Sequence, residues 1–254
     1  MGLLDQKVVV VTGGGNGIGR AYCLGIAREG GIPVAADIDG AAAESAAREI
    51  AANGGQALAV QTDVADLPSC QGMARAALQS FGRIDGLVNN AAVFMSVPVT
   101  RSGFQDIREE EWDRVMAVNV KGLWLCSRAV APAMQERRQG SIVNIASNMA
   151  YNGGAGMMHY VVSKAAVVGF TRVLARELGP DNIRVNTLAP GSTASEPEPT
   201  AAALEDYERS AAKRILQRIE QPDDVVGTAL YLLSELSAFV TGQSILVNGG
   251  ANLH

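Results

Sequence analysis

The stretch 147–164, SNMAYNGGAGMMHYVVSK, holds the residue types best suited to proton chemistry in this chain. It opens on a hydroxyl, Ser147, directly after the apolar run 142–146. A glycine-rich loop (Gly153, Gly154, Gly156) then leads into a helical pattern carrying Tyr160 and Lys164. Residues four apart on a helix share a face, about 6 Å apart along the axis, so phenol and ammonium can address one site. A cation beside a phenol favours the phenolate and lowers a pKa that starts near ~10. A tyrosine so placed exchanges protons near neutral pH. Taken alone, the same spacing also describes a surface tyrosine beside a solvated lysine, so the elements around it must decide.

Those elements alternate. Short β-branched runs at 7–12, 32–37, 57–62, 84–89, 141–146, 183–188 and 244–247 are predicted strands. Alanine- and leucine-rich segments between them, such as 17–29, 41–52 and 67–81, are predicted helices. Strands that are near-continuously apolar and separated by helices indicate a parallel sheet with helices on both faces, a doubly wound α/β fold. No repeat or linker interrupts the pattern, so 1–254 reads as a single domain, which suits a chain with 48% hydrophobic and 19% charged residues. A net charge of −5 without a basic run argues against a nucleic-acid surface. No apolar stretch reaches the ~20 residues of a membrane span, and the N-terminal residues lack a signal-peptide layout. Cys23, Cys70 and Cys126 are scattered, and His159 and His254 form no metal-ligand cluster. The expectation is a soluble, cytoplasmic protein with no metal and neither a membrane nor a nucleic-acid partner.

The first strand runs into Thr12-Gly13-Gly14-Gly15-Asn16-Gly17-Ile18-Gly19, and a helical pattern follows at once. Strand, glycine turn and helix N-terminus make a phosphate cradle, because backbone N–H groups and the helix dipole face the anion and no side chain blocks it. Arg20 and Ala21 stand where a P-loop needs Lys and Ser or Thr, which excludes that alternative. The second strand ends at Asp37, 18 residues beyond Gly19. A carboxylate there accepts hydrogen bonds from ribose hydroxyls and repels a 2′-phosphate. Asn16 and Ile38 supply no cation to rescue such a phosphate, so NAD is favoured over NADP. Asp39 is the rival carboxylate in the same turn. Asp63-Val64 closes the third strand and Asn89-Asn90-Ala91-Ala92 the fourth, at the edge a cofactor would cross. The segment 93–111 is a candidate substrate wall. Glu109, Glu110 and Glu111 suit the first turn of the following helix. Asn119 falls inside a helix predicted over 112–134, where asparagine is disfavoured.

In this order the pieces resemble the short-chain dehydrogenase/reductase family over essentially the whole chain. The matching motifs are TGGGNGIG at 12–19, Asp63-Val64, NNAA at 89–92, Asn119 in VNVKG, and Ser147 placed 13 residues before Tyr160. YVVSK at 160–164, Pro190-Gly191, RIEQPDDV at 218–225 and TGQSILVNGG at 241–250 match as well. The resemblance implies a seven-stranded Rossmann fold. It implies a nicotinamide cofactor held by Gly13, Asn16, Gly17, Ile18, Gly19, Asp37, Ile38, Asp63, Val64, Asn89, Ala91, Tyr160, Lys164, Pro190, Gly191, Thr193 and Ser195. It further implies a catalytic tetrad of Asn119, Ser147, Tyr160 and Lys164. Tyr160 would be general base in oxidation and general acid in reduction. Lys164 would lower the Tyr160 pKa and hold the nicotinamide ribose, Ser147 would donate to the substrate oxygen, and Asn119 would anchor water in a proton relay. A homotetramer is implied too, built through the helices around 108–135 and 155–179 and through the C-terminal helix and strand. The chain departs from the family pattern at Ala92 (usually glycine), Ser195 (usually threonine, with Thr193 a rival for the carboxamide) and Asn248 (commonly aspartate).

Substrate contacts are expected from Phe94 and Met95 after the fourth strand and from Met149, Met157 and His159 around the catalytic loop. The segment 192–215, with a proline-bearing start and a helical end, reads as a lid. These loops hold no cluster of arginine or lysine to grip a phosphate or carboxylate. That points to an apolar secondary alcohol or ketone, cyclic or aromatic. An NADPH-dependent 3-oxoacyl thioester reductase is the alternative on the same fold. A non-catalytic NAD(H) sensor is the alternative of another class, and the four tetrad side chains together argue against it, since binding alone needs no tyrosine base.

Overall fold

The computed structural model describes residues 2–94, 99–196 and 198–253. The described residues contain seven strands: β1 (Val8–Thr12), β2 (Ile32–Asp37), β3 (Leu58–Gln61), β4 (Gly86–Asn89), β5 (Gly140–Ile145), β6 (Ile183–Pro190) and β7 (Ser244–Val247). The α-helices are α1 (Gly17–Arg28), α2 (Gly40–Ala52), α3 (Leu67–Phe81), α4 (Glu109–Met116), α5 (Leu123–Arg137), α6 (Met149–Asn152), α7 (Met158–Leu178), α8 (Ala201–Ala211) and α9 (Pro222–Leu233). All strand pairings are parallel, in the order β3-β2-β1-β4-β5-β6-β7. This is the doubly wound α/β sheet expected from the alternation, with strand limits moved by at most two residues.

Every residue of β1 is buried, which explains a run of four valines where a one-sided strand would alternate. Val8 and Val10 pack into the layer containing α3 and α5, Val9 and Val11 into the layer containing α1 and α9. β1 pairs with β2 on one side and β4 on the other, so the chain reverses its direction of travel across the sheet here. A crevice opens outside the carboxyl ends of strands at such a switch point.

A polar network crosses the interior and fastens α7 to the sheet. Asn89 Nδ2 donates to Asn144 Oδ1 at 2.9 Å and to Ser127 Oγ at 3.1 Å. Asn144 Nδ2 donates to Thr171 Oγ1 at 2.9 Å, which also accepts from Thr187 Oγ1 at 2.8 Å. The Asn89 amide nitrogen is therefore committed to the core, while its Oδ1 has no hydrogen-bond partner and the residue lines the cleft beside Thr12.

The helix predicted over 112–134 is instead three pieces. α4 ends at Met116, a π-helical turn spans Ala117–Gly122, and α5 starts at Leu123. Hydrophobic periodicity does not separate a π turn from the α-helix around it, and such turns cluster at functional sites. Glu109, Glu110 and Glu111 do lie in the first turn of α4, as the dipole argument expects. Among the described residues, no helix is long and apolar enough to cross a membrane. No group of three or more His, Cys, Asp or Glu among them could hold a metal ion.

The interior network has a measurable worth. Asn144→Leu strips one hydrogen bond from Asn89, which keeps Ser127, and one from Thr171, which keeps Thr187, and each lost bond costs about 0.5–1.5 kcal/mol. We expect a lower urea midpoint at unchanged slope, and an unmoved midpoint would show that the network adds no net stability.

Candidate active site

α7 places Tyr160 and Lys164 one turn apart on its buried face, with His159, Ser163, Val167 and Thr171. Lys164 Nζ donates to the Ile145 carbonyl at the end of β5, at 2.9 Å. Ser147, two residues beyond that strand, is 7% exposed, and its Oγ accepts the Met149 N–H at 3.2 Å. It lies near enough to the Tyr160 hydroxyl to favour the phenolate. Phe94 stacks on the Tyr160 ring, centroids 4.4 Å apart. Asn119, carried inward by the π turn, accepts the Val93 N–H at 2.8 Å and donates to Ser163 Oγ at 3.1 Å. Its side chain thus pins the post-β4 loop to the catalytic helix.

The proton affinities differ from the sequence expectation. Burial pushes the Tyr160 hydroxyl up to about 12, against the opposing effect of Ser147. Burial also brings Lys164 down to about 8. The expected lowering of the Tyr160 pKa by Lys164 is not what this arrangement produces. Desolvation of the phenolate outweighs a cation whose Nζ is 5.8 Å from the ring centroid and is turned to a backbone carbonyl.

The glycine turn fits a dinucleotide. Gly13 and Gly17 have φ of +64° and +52°, in the left-handed region that favours glycine. A methyl on Gly19 would lie 1.9 Å from the Gly13 oxygen. Asn16 stands at the N-cap of α1 without a side-chain cap, and the first turn holds no acidic residue, so this helix N-terminus keeps its N–H groups and positive dipole for an anion. Ile18 lies in that first turn.

Asp37 Oδ2 accepts the Gly15 N–H at 2.9 Å and Oδ1 the Asp39 N–H at 3.1 Å, which fixes the carboxylate beside the turn. Ile38, next to it, is solvent-exposed. The rival Asp39 is spent capping α2 through the Ala42 N–H. Asp63 lies exposed past β3, accepting the Ala65 N–H at 2.8 Å, while Val64 is buried against Gly122. A cleft lined by Thr12, Asn89, Ala91, Asn119, Ile145 and Lys164 runs from the end of β1 to Lys164.

Two residues that hold this edge together were absent from the sequence-derived site. Thr12 Oγ1 accepts the N–H groups of Asn90 and Ala91 at 3.0 and 3.1 Å. Asn90 Nδ2 returns hydrogen bonds to the Thr12 and Gly13 carbonyls. Their signal was available: each is a polar residue closing a buried strand, inside a motif already singled out.

Beyond β6, Pro190 ends the strand and Gly191 donates to both Val247 O and Glu220 Oε1. Thr193, the rival for the carboxamide, donates its hydroxyl to Glu220 at 2.7 Å and keeps only acceptor positions on that oxygen. Ser195 instead lies over the turn, its Cβ 3.4 Å from where a Gly17 methyl would sit.

His159 is corrected as a substrate contact. It is fully buried, with Nε2 3.1 Å from Glu111 Oε1. Met157 is buried as well, whereas Phe94 and Met149 remain partly exposed. Met95 lies outside the described residues.

The low Lys164 pKa gives a stability test with a definite sign. Between about pH 8 and 10 the unfolded chain holds a proton on this lysine that the folded protein has released, so stability rises with pH. Measured by urea unfolding without cofactor, wild type should gain about 1–2 kcal/mol on Lys164→Met between about pH 7.5 and 9.5. A constant difference would show that Lys164 is charged in the fold.

A family model described as enoyl-(acyl carrier protein) reductase matches residues 13–252. Cyclopentanol dehydrogenase of Comamonas testosteroni is 37% identical over 254 residues, covering 98% of each chain. The 3-oxoacyl-[acyl-carrier-protein] reductase FabG of Thermotoga maritima is 37% identical over 248 residues, 97% of this chain and 98% of its own. Among solved structures, the 3-ketoacyl-(acyl-carrier-protein) reductase from Brucella melitensis, complexed with NADH, superposes with a TM-score of 0.88 at 32% identity, over 98% of this chain and 99% of that one. Fold, motif order and these likenesses agree: the chain belongs to the short-chain dehydrogenase/reductase family, and it is an oxidoreductase.

Proposed function

We propose that this protein transfers hydride between NAD(H) and an apolar secondary alcohol or its ketone, cyclic or aromatic. The observation that carries this reading is a cleft shared by Lys164, Asn119 and Thr12, with Tyr160 one helical turn from Lys164 and the glycine turn leading from Thr12 to the uncapped N-terminus of α1. The nicotinamide, when bound, supplies or accepts the hydride. Ser147 donates a hydrogen bond to the substrate oxygen, where charge develops. Tyr160 gives that oxygen a proton in reduction and removes one in oxidation. A neutral, buried phenol is poised as the acid, and oxidation needs Lys164 to turn its charge towards the phenolate. Asn119 holds the loop and the helix in register and would anchor the relay water.

NAD is preferred on the strength of Asp37. Arg20, on the first helix, is paired with Glu49 and not offered to a 2′-phosphate. The apolar substrate is supported by how the surrounding polar groups are used. Glu111 accepts the Thr100 N–H at 2.5 Å, Arg101 pairs with Asp206 of α8 at 3.5 Å, and Tyr207 is bonded to Glu196. Phe94 and Met149 are left to meet the substrate. A lid role for 192–215 agrees with the placement of Ser195 over the glycine turn. The 3-oxoacyl thioester alternative is favoured by the FabG likeness alone. We further propose a cytoplasmic homotetramer; the tetramer is supported by Trp124, Val162, Val173 and Phe239, exposed apolar residues on or near the expected interface elements.

A spectrophotometric screen of cyclic and aromatic secondary alcohols, ketones and 3-oxoacyl thioesters with both dinucleotides tests the reading. Turnover confined to thioesters, or to NADP, would overturn it. Tyr160→Phe should lower turnover by about two to four orders of magnitude with cofactor affinity nearly kept. Alcohol oxidation should rise through the alkaline range while ketone reduction falls, following the raised Tyr160 pKa. Sedimentation velocity should give one species of four chains, and a monomer would remove the tetramer from the reading.

A further inference from the structure

Arg214 and Glu220 form a buried ion pair outside the catalytic cleft, side chains 3% and 5% exposed, Nη2 and Oε2 3.6 Å apart. Burying two charges is costly unless their remaining hydrogen-bonding positions are filled. Here Oε1 and the guanidinium are filled from one particular segment, and Glu220 Oε2 has the guanidinium at 3.6 Å but no hydrogen bond of its own. Arg214 Nη2 donates to the Ser192 carbonyl at 2.6 Å, and Nη1 to the Arg218 carbonyl at 3.2 Å. Glu220 Oε1 accepts from the Gly191 N–H at 3.1 Å and the Thr193 hydroxyl at 2.7 Å. The Glu220 main-chain carbonyl accepts the Ala194 N–H at 2.9 Å, extending a parallel bridge between Thr193 and Glu220.

The partners are the two ends of one excursion. Residues 192–194 leave β6, the chain passes through α8, and Arg214 returns it beside its own starting point. Position 191 has no space for a side chain, since a methyl there would lie 2.4 Å from Glu220 Oε2. Thr193 is held with its hydroxyl turned away from the cleft, and two residues later Ser195 reaches the glycine turn. We propose that the Arg214–Glu220 pair is a staple that closes the base of the 192–215 excursion and so holds Ser195 against the dinucleotide site. The cofactor part of this inference rests on the proposed function; the staple itself does not. Arg214 and Glu220 are then positioning residues, acting through Gly191, Thr193 and Ser192.

Glu220→Gln keeps an acceptor for Gly191 and Thr193 while removing the charge that holds Arg214. Arg214→Met combined with Glu220→Gln removes both charges, so no lone charge stays buried. Limited trypsin digestion without ligand reads the staple directly, because Arg209 and Lys213 are exposed inside the excursion and Arg48 is exposed on α2 as a reporter of global opening. Both variants should be cut faster at 209 and 213, by about tenfold, with cutting at 48 unchanged. With NADH, the KM for cofactor should rise by about fivefold or more while kcat at saturation changes far less. Wild-type cutting rates at 209 and 213 in the double variant would overturn the staple. Faster cutting at every site, Arg48 included, would also overturn it, in favour of a general folding role. Selective cutting without any NADH or NADPH binding by wild type would retain the staple and sink the cofactor reading instead.

Discussion

The site depends on how closely α1 approaches the end of β1. A methyl at position 19 would overlap the Gly13 oxygen at 1.9 Å, and one at position 15 would come within 2.7 Å of Ala42 Cβ. Helix and strand can meet this closely only where glycines remove the side chains. That approach points the free N–H groups of α1 across the switch point between β1 and β4. Thr12 and Asn90 then join the two strand ends, so the turn and the post-β4 loop move as one body. The catalytic helix is referred to the same frame, because Lys164 is bonded to the end of β5 and Asn144 ties β5 to Thr171. Cofactor cradle and proton chemistry therefore share one rigid edge.

Burial at that edge acts on the ionisable groups in opposite senses. Removing water raises the cost of phenolate at Tyr160 and of ammonium at Lys164, so both neutral forms gain. The pair can exchange protons only when something stabilises one charge, and a bound cofactor with its ribose hydroxyls and positive ring is the group with the means to do so. Glu111 is the counter-example. The Thr100 N–H and His159 hold its carboxyl down to about 2 despite burial, so it stays charged and braces the substrate wall against α7. One buried acid is kept ionised for architecture while a buried tyrosine is kept neutral for chemistry.

Much of this was legible in the sequence for physical reasons. Strands buried on both faces are written as continuous β-branched runs, and glycines that permit close approach stand at one spacing after the first of them. What escaped was the fate of individual polar groups. Periodicity does not reveal the π turn at 117–122, which turns Asn119 inward. Composition does not say which of many charges are buried, so nothing in the sequence marks Glu111, Arg214 and Glu220 as interior charges. His159 was assigned to substrate by its nearness to Tyr160 along the chain, whereas Glu111 holds it from across the fold, and Thr193, a rival for the carboxamide on the family pattern, meets Glu220. The direction of the Tyr160 shift was misjudged because a four-residue spacing fixes which face Lys164 shares, but not where its ammonium points.

These pairings bear on selectivity. An apolar wall discriminates weakly by size, since one methylene is worth about 1–3 kcal/mol. Phe94 lies on the Tyr160 ring itself, so it limits from which side a substrate carbon can approach the hydroxyl. On the proposed function, Ser147 and Tyr160 together would accept only an oxygen that can reach both. A site built this way would tolerate varied hydrocarbon and be strict about the position and face of the oxygen. Stereochemistry would then follow from the rigid edge of the sheet, and substrate range from the loops beside it.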